Sequence, residues 1–127
     1  MAFKHVTVFG GSGFLGRQIV KSLVVEGVNI RVAVRHPERA SFLKRIGREG
    51  QIELVRANVW EESTVARAVT KSTWVINTVG HYVEKSGATF DAIHGQGAHN
   101  VARQAGNASV ERLVHISGVG ADPDSDS

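Results

Sequence analysis

Three glycines spaced three residues apart, Gly10, Gly13 and Gly16, lie between a β-branched segment and an amphipathic one. A turn that carries a strand directly into a helix needs backbone angles and close approaches that a Cβ atom hinders. The helix that begins there points unpaired N–H groups and the positive end of its dipole toward the turn. This pattern predicts a cradle for the two linked phosphates of a dinucleotide. Gly11 permits a second register, Gly11-x-Gly13-x-x-Gly16, and the sequence leaves both open.

A basic residue stands where the next strand ends. Arg35 follows an apolar segment over residues 29–34 and lies about 20 residues beyond the glycines, where an acidic residue would accept hydrogen bonds from the adenosine ribose. A guanidinium cannot accept those bonds, but it can pair with a 2′-phosphate and stack on adenine. Arg35 therefore favours NADP(H). NAD(H) is the alternative if Arg35 is an ordinary solvent-facing charge.

Two further strand ends carry candidate contacts. Asn58 follows the third predicted strand and could either hydrogen-bond the adenine edge or cap a turn, and the sequence gives the two roles equal weight. The fourth predicted strand stops at residues 77–80, which include Val79 and Gly80. The small backbone there would let a nicotinamide ribose approach.

Strands and helices alternate along the chain. Strands are predicted over residues 4–9, 29–34, 51–56, 73–78 and 111–117, and helices over 13–25 and 38–46, from 62 onward and over 89–105. Residues 81–87 are predicted to form a polar connection. Right-handed crossovers then predict an α/β fold with a doubly wound parallel sheet in the order 3-2-1-4-5. One NAD(P)-binding domain is expected over residues 1–121, with a frayed polar tail over 122–127.

Composition excludes several classes of protein. The 127 residues, 42% of them hydrophobic, suffice for one core of ordinary size. There is no cysteine for a disulfide or a thiolate site, and the six scattered histidines, with His94 and His99 on different helix faces, predict no metal site. Basic residues crowd positions 31–48, but Glu38 and Glu49 lie among them, which favours a solvated helix face over a nucleic-acid surface. No apolar run approaches the roughly 18 residues of a membrane span, so a soluble, cytoplasmic segment is expected.

Longer segments carry a family resemblance. The chain has Val-Phe-Gly-Gly-Ser-Gly-Phe-Leu-Gly at 8–16, Asn-x-x-Gly at 77–80, Phe-Asp-Ala-Ile-His-x-x-Gly-Ala-x-Asn-Val at 90–101 and Glu-Arg-Leu-Val-His-Ile-Ser at 111–117. These segments resemble the extended and atypical short-chain dehydrogenase/reductases. They are most similar to the atypical subgroup that includes the NADPH-carrying accessory subunit of respiratory complex I. The resemblance covers nearly the whole chain.

The resemblance implies a role in cofactor binding for twelve residues, which fall into four groups. The diphosphate would contact Gly10, Ser12, Gly13, Phe14, Leu15 and Gly16. The 2′-phosphate would contact Arg35, and the adenine ring would contact Asn58 and Val59. The nicotinamide side would contact Val79, Gly80 and Ser117.

Two departures from the family pattern bear on catalysis. In active members the fifth strand ends in two small hydroxyl residues, of which the second polarises the substrate carbonyl, whereas here Gly118 follows Ser117. Active members also carry a Tyr with a Lys four residues later, because the ammonium lowers the pKa of the phenol. The single tyrosine, Tyr82, has Ser86 at that offset. The Tyr/Lys pair is therefore expected beyond residue 127.

The resemblance thus implies the N-terminal cofactor-binding part of a longer protein, with the sheet truncated before its sixth strand. We expect a mainly structural nucleotide and an accessory or assembly role in respiratory complex I, with complex I subunits as partners at the inner face of the energy-transducing membrane. The alternative is an NAD(P)-dependent oxidoreductase or epimerase acting on a sugar nucleotide, a quinone precursor or another small molecule. An uncovered fifth-strand edge also predicts self-association.

Overall fold

Strands and helical segments alternate throughout the computed structural model, which describes residues 4–79 and 90–116, with side chains of the second range from Gln96 onward. The elements are β1 (His5–Phe9), α1 (Phe14–Val25), β2 (Asn29–Val34), a 3-10 helix (Pro37–Arg45), β3 (Ile52–Arg56), α2 (Glu62–Val69), β4 (Trp74–Asn77), α3 (Phe90–Asn107) and β5 (Arg112–His115). The predicted bounds differ from these by one or two residues at most. The predictions for residues 81–87 and 121–127 lie outside the described residues.

The five strands form one parallel sheet in the order β3-β2-β1-β4-β5, which confirms the predicted order. The central strand, β1, is buried on both faces, and its alternating side chains divide the core in two. Val6 and Val8 pack in a cluster with α1 and the 3-10 helix, whereas Phe9 packs in a cluster with α2 and α3. Helices therefore cover both faces of the sheet, and every crossover returns the chain to the same end of the sheet, where the next parallel strand begins.

The helix that the sequence predicts over residues 38–46 is a 3-10 helix and not an α-helix. Its N–H groups bond three residues back, as from Arg39 to the carbonyl of His36 at 2.9 Å. Side chains three residues apart superpose along a 3-10 helix. Ala40, Leu43 and Ile46 have that spacing, and all three pack against the same core cluster. The apolar spacing of the sequence therefore suits the tighter helix.

Arg31 is one of the basic residues assigned to a solvated helix face, and that assignment is wrong for it. It lies in β2, where its Nη1 donates to the carbonyls of Ala68 and Thr70 at 2.7 and 2.8 Å and its Nε donates to Glu53 at 3.2 Å. The last carbonyls of a helix have no partner within the helix. Arg31 supplies that partner for α2 and so fixes α2 to the sheet.

Two polar contacts attach α3 to the rest of its layer. Glu62 Oε2 of α2 accepts hydrogen bonds of 2.7 Å from Gln104 and from Arg103, and these bonds lower the pKa of the Glu62 carboxyl below its usual 4.5. Buried Asn100 donates from Nδ2 to the carbonyl of Val59 at 2.7 Å. The loop after β3 and the start of α2 are therefore fixed by hydrogen bonds to α3.

The last strand of the described sheet, β5, carries exposed apolar side chains. Ile116 packs against the core, but Leu113 and Val114 are 36% and 37% exposed. Among the described residues, β5 pairs only with β4. The strand therefore presents an apolar edge.

The connection from β1 to α1 depends on contact between two pieces of backbone. A Cβ atom added to Gly16 would overlap the carbonyl oxygen of Gly10 and lie 2.6 Å from the Cα of Gly11. Only a residue without a side chain lets the first turn of α1 rest on the preceding turn at this distance. The close packing predicted for Gly16 is confirmed.

We expect Gly16→Ala to destabilise the protein, because the added methyl meets backbone that cannot rotate away. Overpacking of this kind costs about 1–3 kcal/mol and sometimes more. Chemical denaturation followed by circular dichroism measures the loss. Gly106→Ala is the matched control, since a Cβ there meets nothing within 4 Å and alanine favours a helix. Equal stability of Gly16→Ala and Gly106→Ala would contradict the packing described here.

Candidate functional site: a cleft at the carboxyl ends of the strands

The glycine turn is held between the ends of β2 and β4. Gly10 has a φ of +83°, and its N–H donates to the carbonyl of Ala33 at 3.0 Å. A Cβ on Gly10 would lie 2.6 Å from Thr78 Oγ1 and 2.9 Å from the Val79 side chain. A Cβ on Gly11 would likewise lie 2.7 Å from Val32 Cγ1, so both glycines are closely packed and both registers of the motif stay open.

Side chains of two neighbouring elements fasten this turn. Thr78 Oγ1 donates to the carbonyl of Phe9 at 2.7 Å, at the end of β1. From α1, Arg17 Nε donates to the carbonyl of Ser12 at 3.0 Å, and the same guanidinium lies 5.1 Å from the centre of the Phe42 ring. The turn is thus held from the β4 side and from the 3-10 helix side.

The N-terminus of α1 has the features of an anion site. Gly13 is the N-cap in an extended conformation, and no side chain caps the helix. A Cβ on Gly13 would meet only the carbonyl of Gly10, at 3.7 Å, so the front of the turn is open. Phe14 and Leu15 are 80% and 39% exposed. Because uncapped N–H groups and the positive helix end favour anions, the turn fits a diphosphate.

A cleft of about 420 Å³ extends from this turn across the carboxyl ends of β1, β2 and β3. Its lining consists of Phe9, Gly10, Ser12, Ala33, Val34, Arg35, His36, Arg39, Ala57, Asn58, Val59, Trp60 and Val79. Six predicted site residues are therefore brought together, namely Gly10, Ser12, Arg35, Asn58, Val59 and Val79. Residues 13–16 form the adjoining turn. Gly80 and Ser117 lie outside the described residues.

Three polar or aromatic lining residues were missed from the sequence. Arg39 and His36 stand beside Arg35 on one wall, and Trp60 lies close to Asn58 along the chain on another part of the lining. The guanidinium groups of Arg35 and Arg39 form no hydrogen bond or ion pair with a described residue. Arg39 is exposed on the 3-10 helix, as its assignment to a solvated helix face predicts, and it also lines the cleft. The feature of the sequence that could have placed Arg39 in the cleft is its spacing of four residues from Arg35, with a 3-10 turn between them.

Asn58 caps a turn, as one of its two predicted roles requires. Its Oδ1 accepts a hydrogen bond of 2.9 Å from the backbone N–H of Trp60, and its own N–H donates to Thr64 Oγ1 at 2.9 Å. The side-chain nitrogen of Asn58, Nδ2, has no partner among the described residues. A contact between that nitrogen and adenine stays a prediction.

The described ranges lack two other kinds of site. Residues 4–79 and 96–116 contain no group of three or more His, Asp or Glu side chains placed to hold a metal ion. The helices of these ranges are all too short or too polar to cross a membrane.

Comparisons with known proteins agree with this geometry. The NAD(P)H-binding family matches residues 10–127. The 40 kDa subunit of mitochondrial NADH-ubiquinone oxidoreductase from Neurospora crassa is 29% identical over 120 residues, or 94% of this chain and 32% of that protein. Mitochondrial NADH dehydrogenase (ubiquinone) 1 alpha subcomplex subunit 9 from Dictyostelium discoideum is 35% identical over 122 residues, or 95% of this chain and 34% of that protein.

A solved structure shares the fold. Vestitone reductase from alfalfa superposes with a TM-score of 0.75 at 25% identity, covering 89% of this chain and 36% of that one. The chain spans about a third of the length of the relatives that it matches. The family match, the sheet order and the glycine turn agree with the resemblance to the short-chain dehydrogenase/reductases. The chain belongs to the NAD(P)H-binding family, with a Rossmann-type α/β fold.

Proposed function

We propose that this chain binds NADP(H) in the cleft and forms the N-terminal part of a longer protein that serves respiratory complex I as an accessory or assembly factor. The observation that carries the cofactor preference is the pair of guanidinium groups, Arg35 and Arg39, on one wall of the cleft. Two planar donors that have no partner in the described part of the chain suit a phosphate dianion far better than a ribose hydroxyl. The cofactor-binding unit would comprise residues 1–121, followed by a tail over 122–127.

Each part of the nucleotide has a place in this arrangement. The turn over residues 10–16 would hold the diphosphate, and Arg35 with Arg39 would hold the 2′-phosphate. Asn58 and Val59 would lie beside adenine, and Val79, Gly80 and Ser117 would lie toward the nicotinamide. Bound NADPH would supply a hydride at its nicotinamide ring.

The nucleotide is proposed to act mainly as part of the structure. Glycine at position 118 cannot polarise a carbonyl, which removes one catalytic group of the active family members. A ligand at 100 times its Kd adds about 2.7 kcal/mol to the stability of the fold that binds it. The names of the Neurospora and Dictyostelium relatives support a place in complex I. Both names include the word mitochondrial, and the proposed role in complex I would place this chain at the inner face of the energy-transducing membrane.

We expect Arg35→Asp to weaken NADPH binding and to spare NADH binding, because only NADPH carries the 2′-phosphate. A charge-assisted hydrogen bond contributes about 1.5–3 kcal/mol, which corresponds to a loss of roughly 10- to 100-fold in affinity. Isothermal titration of both nucleotides measures it. Arg45→Asp is the matched control, since Arg45 is exposed at the end of the 3-10 helix that follows Arg35 and does not line the cleft. Equal losses for NADPH and NADH in Arg35→Asp would show that Arg35 does not bind the 2′-phosphate.

The complex I assignment predicts the phenotype of a gene deletion. Deleting the gene that encodes this chain should lower the amount of assembled complex I, and the wild-type gene should restore it. Native gels stained for NADH dehydrogenase activity measure the assembled complex. Normal assembly in the deletion strain would refute the accessory role, whatever the chain binds.

A second function is favoured by the likeness to vestitone reductase. An NAD(P)-dependent oxidoreductase or epimerase would use the same cleft for its cofactor. It would act on a sugar nucleotide, a quinone precursor or another small molecule. This function needs a Tyr and a Lys four residues apart downstream of Ser127, because the ammonium must lower the pKa of the phenol. Sequencing the rest of the gene decides whether that pair exists.

We also propose that copies of this chain associate through β5. Exposed apolar side chains along an edge strand favour pairing with a second strand. We expect the 127-residue chain to elute as a dimer or larger in size-exclusion chromatography, and Val114→Lys to shift it toward the monomer. Val25→Lys is the control, since Val25 lies in α1 and is 83% exposed. A monomeric wild-type chain would refute this association.

A further inference from the structure

Two rows of exposed residues lie on the helices that cover one face of the sheet. Residues four apart share a face of an α-helix, and residues three apart superpose along a 3-10 helix. The first spacing gives a row in α1, and the second gives a row in the 3-10 helix. All six residues of the two rows are exposed. Together they form the basic face, which consists of Arg17, Lys21 and Val25 in α1 and Arg39, Phe42 and Arg45 in the 3-10 helix.

One contact joins the two rows. The guanidinium carbon of Arg17 lies 5.1 Å from the centre of the Phe42 ring. Both helices lead from the carboxyl end of one strand to the amino end of a parallel one, so they run in the same general direction. Four residues of an α-helix and three residues of a 3-10 helix both advance by about 6 Å. The rows therefore advance together from this contact, with Lys21 next in one row and Arg45 next in the other.

The four cations of the basic face have no ion-pair partner among the described residues. Three acidic residues belong to the same two helices or follow them. Glu38 pairs with His36 at 3.6 Å. Glu26 is the C-cap of α1, and Glu49 lies beyond the end of the 3-10 helix. No carboxylate within the two rows therefore offsets their four positive charges.

The helices on the opposite face of the sheet have a different surface. There Glu62 pairs with Arg103 at 2.7 Å, and Glu61 pairs with Arg56 at 3.5 Å. Four of the seven large apolar side chains that are exposed in the described part of the chain lie in α1 and the 3-10 helix, and none lies in α2 or α3. Of the two helical layers, the one with α1 therefore combines unpaired cations with exposed apolar side chains.

We propose that the basic face binds the surface of a lipid bilayer that contains anionic phospholipids. Each Lys or Arg held near such a surface strengthens binding about fivefold, which corresponds to about 1 kcal/mol. Apolar side chains among the cations enter the interfacial region, as they do in amphipathic helices that lie in the membrane plane. A single-stranded nucleic acid fits less well, because its bases stack on open aromatic rings and the Phe42 ring already lies against Arg17. This inference does not depend on the proposed nucleotide or on complex I.

Sedimentation with lipid vesicles tests the proposal on the complete protein that contains this chain. We expect binding to vesicles of phosphatidylcholine with about one-third phosphatidylglycerol, and at least about tenfold weaker binding to phosphatidylcholine alone, because the cations then lose their partner. Sodium chloride at about 1 M, where the Debye length is about 3 Å, should remove most of the binding to the mixed vesicles. Equal binding to both kinds of vesicle would overturn the proposal.

Variants assign the binding to the basic face. Lys21→Gln combined with Arg45→Gln should weaken binding to the mixed vesicles by about 25-fold, since each lost cation costs about fivefold. Both residues are exposed and lie outside the cleft, so the circular dichroism spectrum and the affinity for nucleotides should not change. Arg67→Gln combined with Lys71→Asn is the matched control, since it removes the same charge from exposed residues on the α2 side, and asparagine tolerates the positive φ of position 71.

The apolar part of the face has its own variant. Val25→Ser should weaken binding to the mixed vesicles by up to about tenfold, because the side chain is 83% exposed in the free protein and would leave water at the bilayer. Unchanged binding in Lys21→Gln with Arg45→Gln, or an equal loss in the matched control, would refute the basic face as the site. Binding of the protein to double-stranded DNA or to an acidic protein, without binding to the mixed vesicles, would assign the face to another partner and would likewise refute the proposal.

Discussion

The contact between the first turn of α1 and the glycine turn beneath it is the constraint on which the remaining structure depends. At Gly16 the helix rests on the backbone of Gly10 and Gly11 with no room for a methyl group. That contact sets where α1 begins and leaves its uncapped N-terminus at the carboxyl ends of the strands. The positive φ of Gly10 then lets the chain turn sharply between β2 and β4. A side chain at Gly10 or Gly16 would move α1 away from the sheet and close the turn to an anion.

The sequence was sufficient for the sheet because its signals are periodic and local. Five apolar segments separated by helical ones leave one economical topology, and the observed order follows it. The 3-10 helix was predicted as an ordinary helix because the spacing of Ala40, Leu43 and Ile46 fits one face of either helix over so short a segment. The exposure of Leu113 and Val114 depends on what lies beside β5, which no residue within that strand encodes.

The candidate site was predictable where a single backbone feature defines it and less so where distant segments meet. The glycine spacing located the turn, and the position of Arg35 after β2 located one wall. Arg39 and Trp60 reach the same cleft only because of the 3-10 geometry and the hydrogen-bonded loop after β3. Asn58 was left with two roles, and its hydrogen bond from the Trp60 N–H shows that it caps a turn. The contact with adenine stays a prediction, because it depends on a ligand and not on neighbouring segments of the chain.

Arg17 links two walls of the cleft. Its hydrogen bond to the Ser12 carbonyl and its position over the Phe42 ring join the phosphate turn to the 3-10 helix that carries Arg39. Binding partners that are already ordered lose less conformational entropy on association than flexible ones. With these walls joined, the nucleotide proposed to bind there would lose little affinity to the ordering of the walls. Under the same proposal nucleotide release would be slow, since the joined walls would have to distort before the ligand could leave.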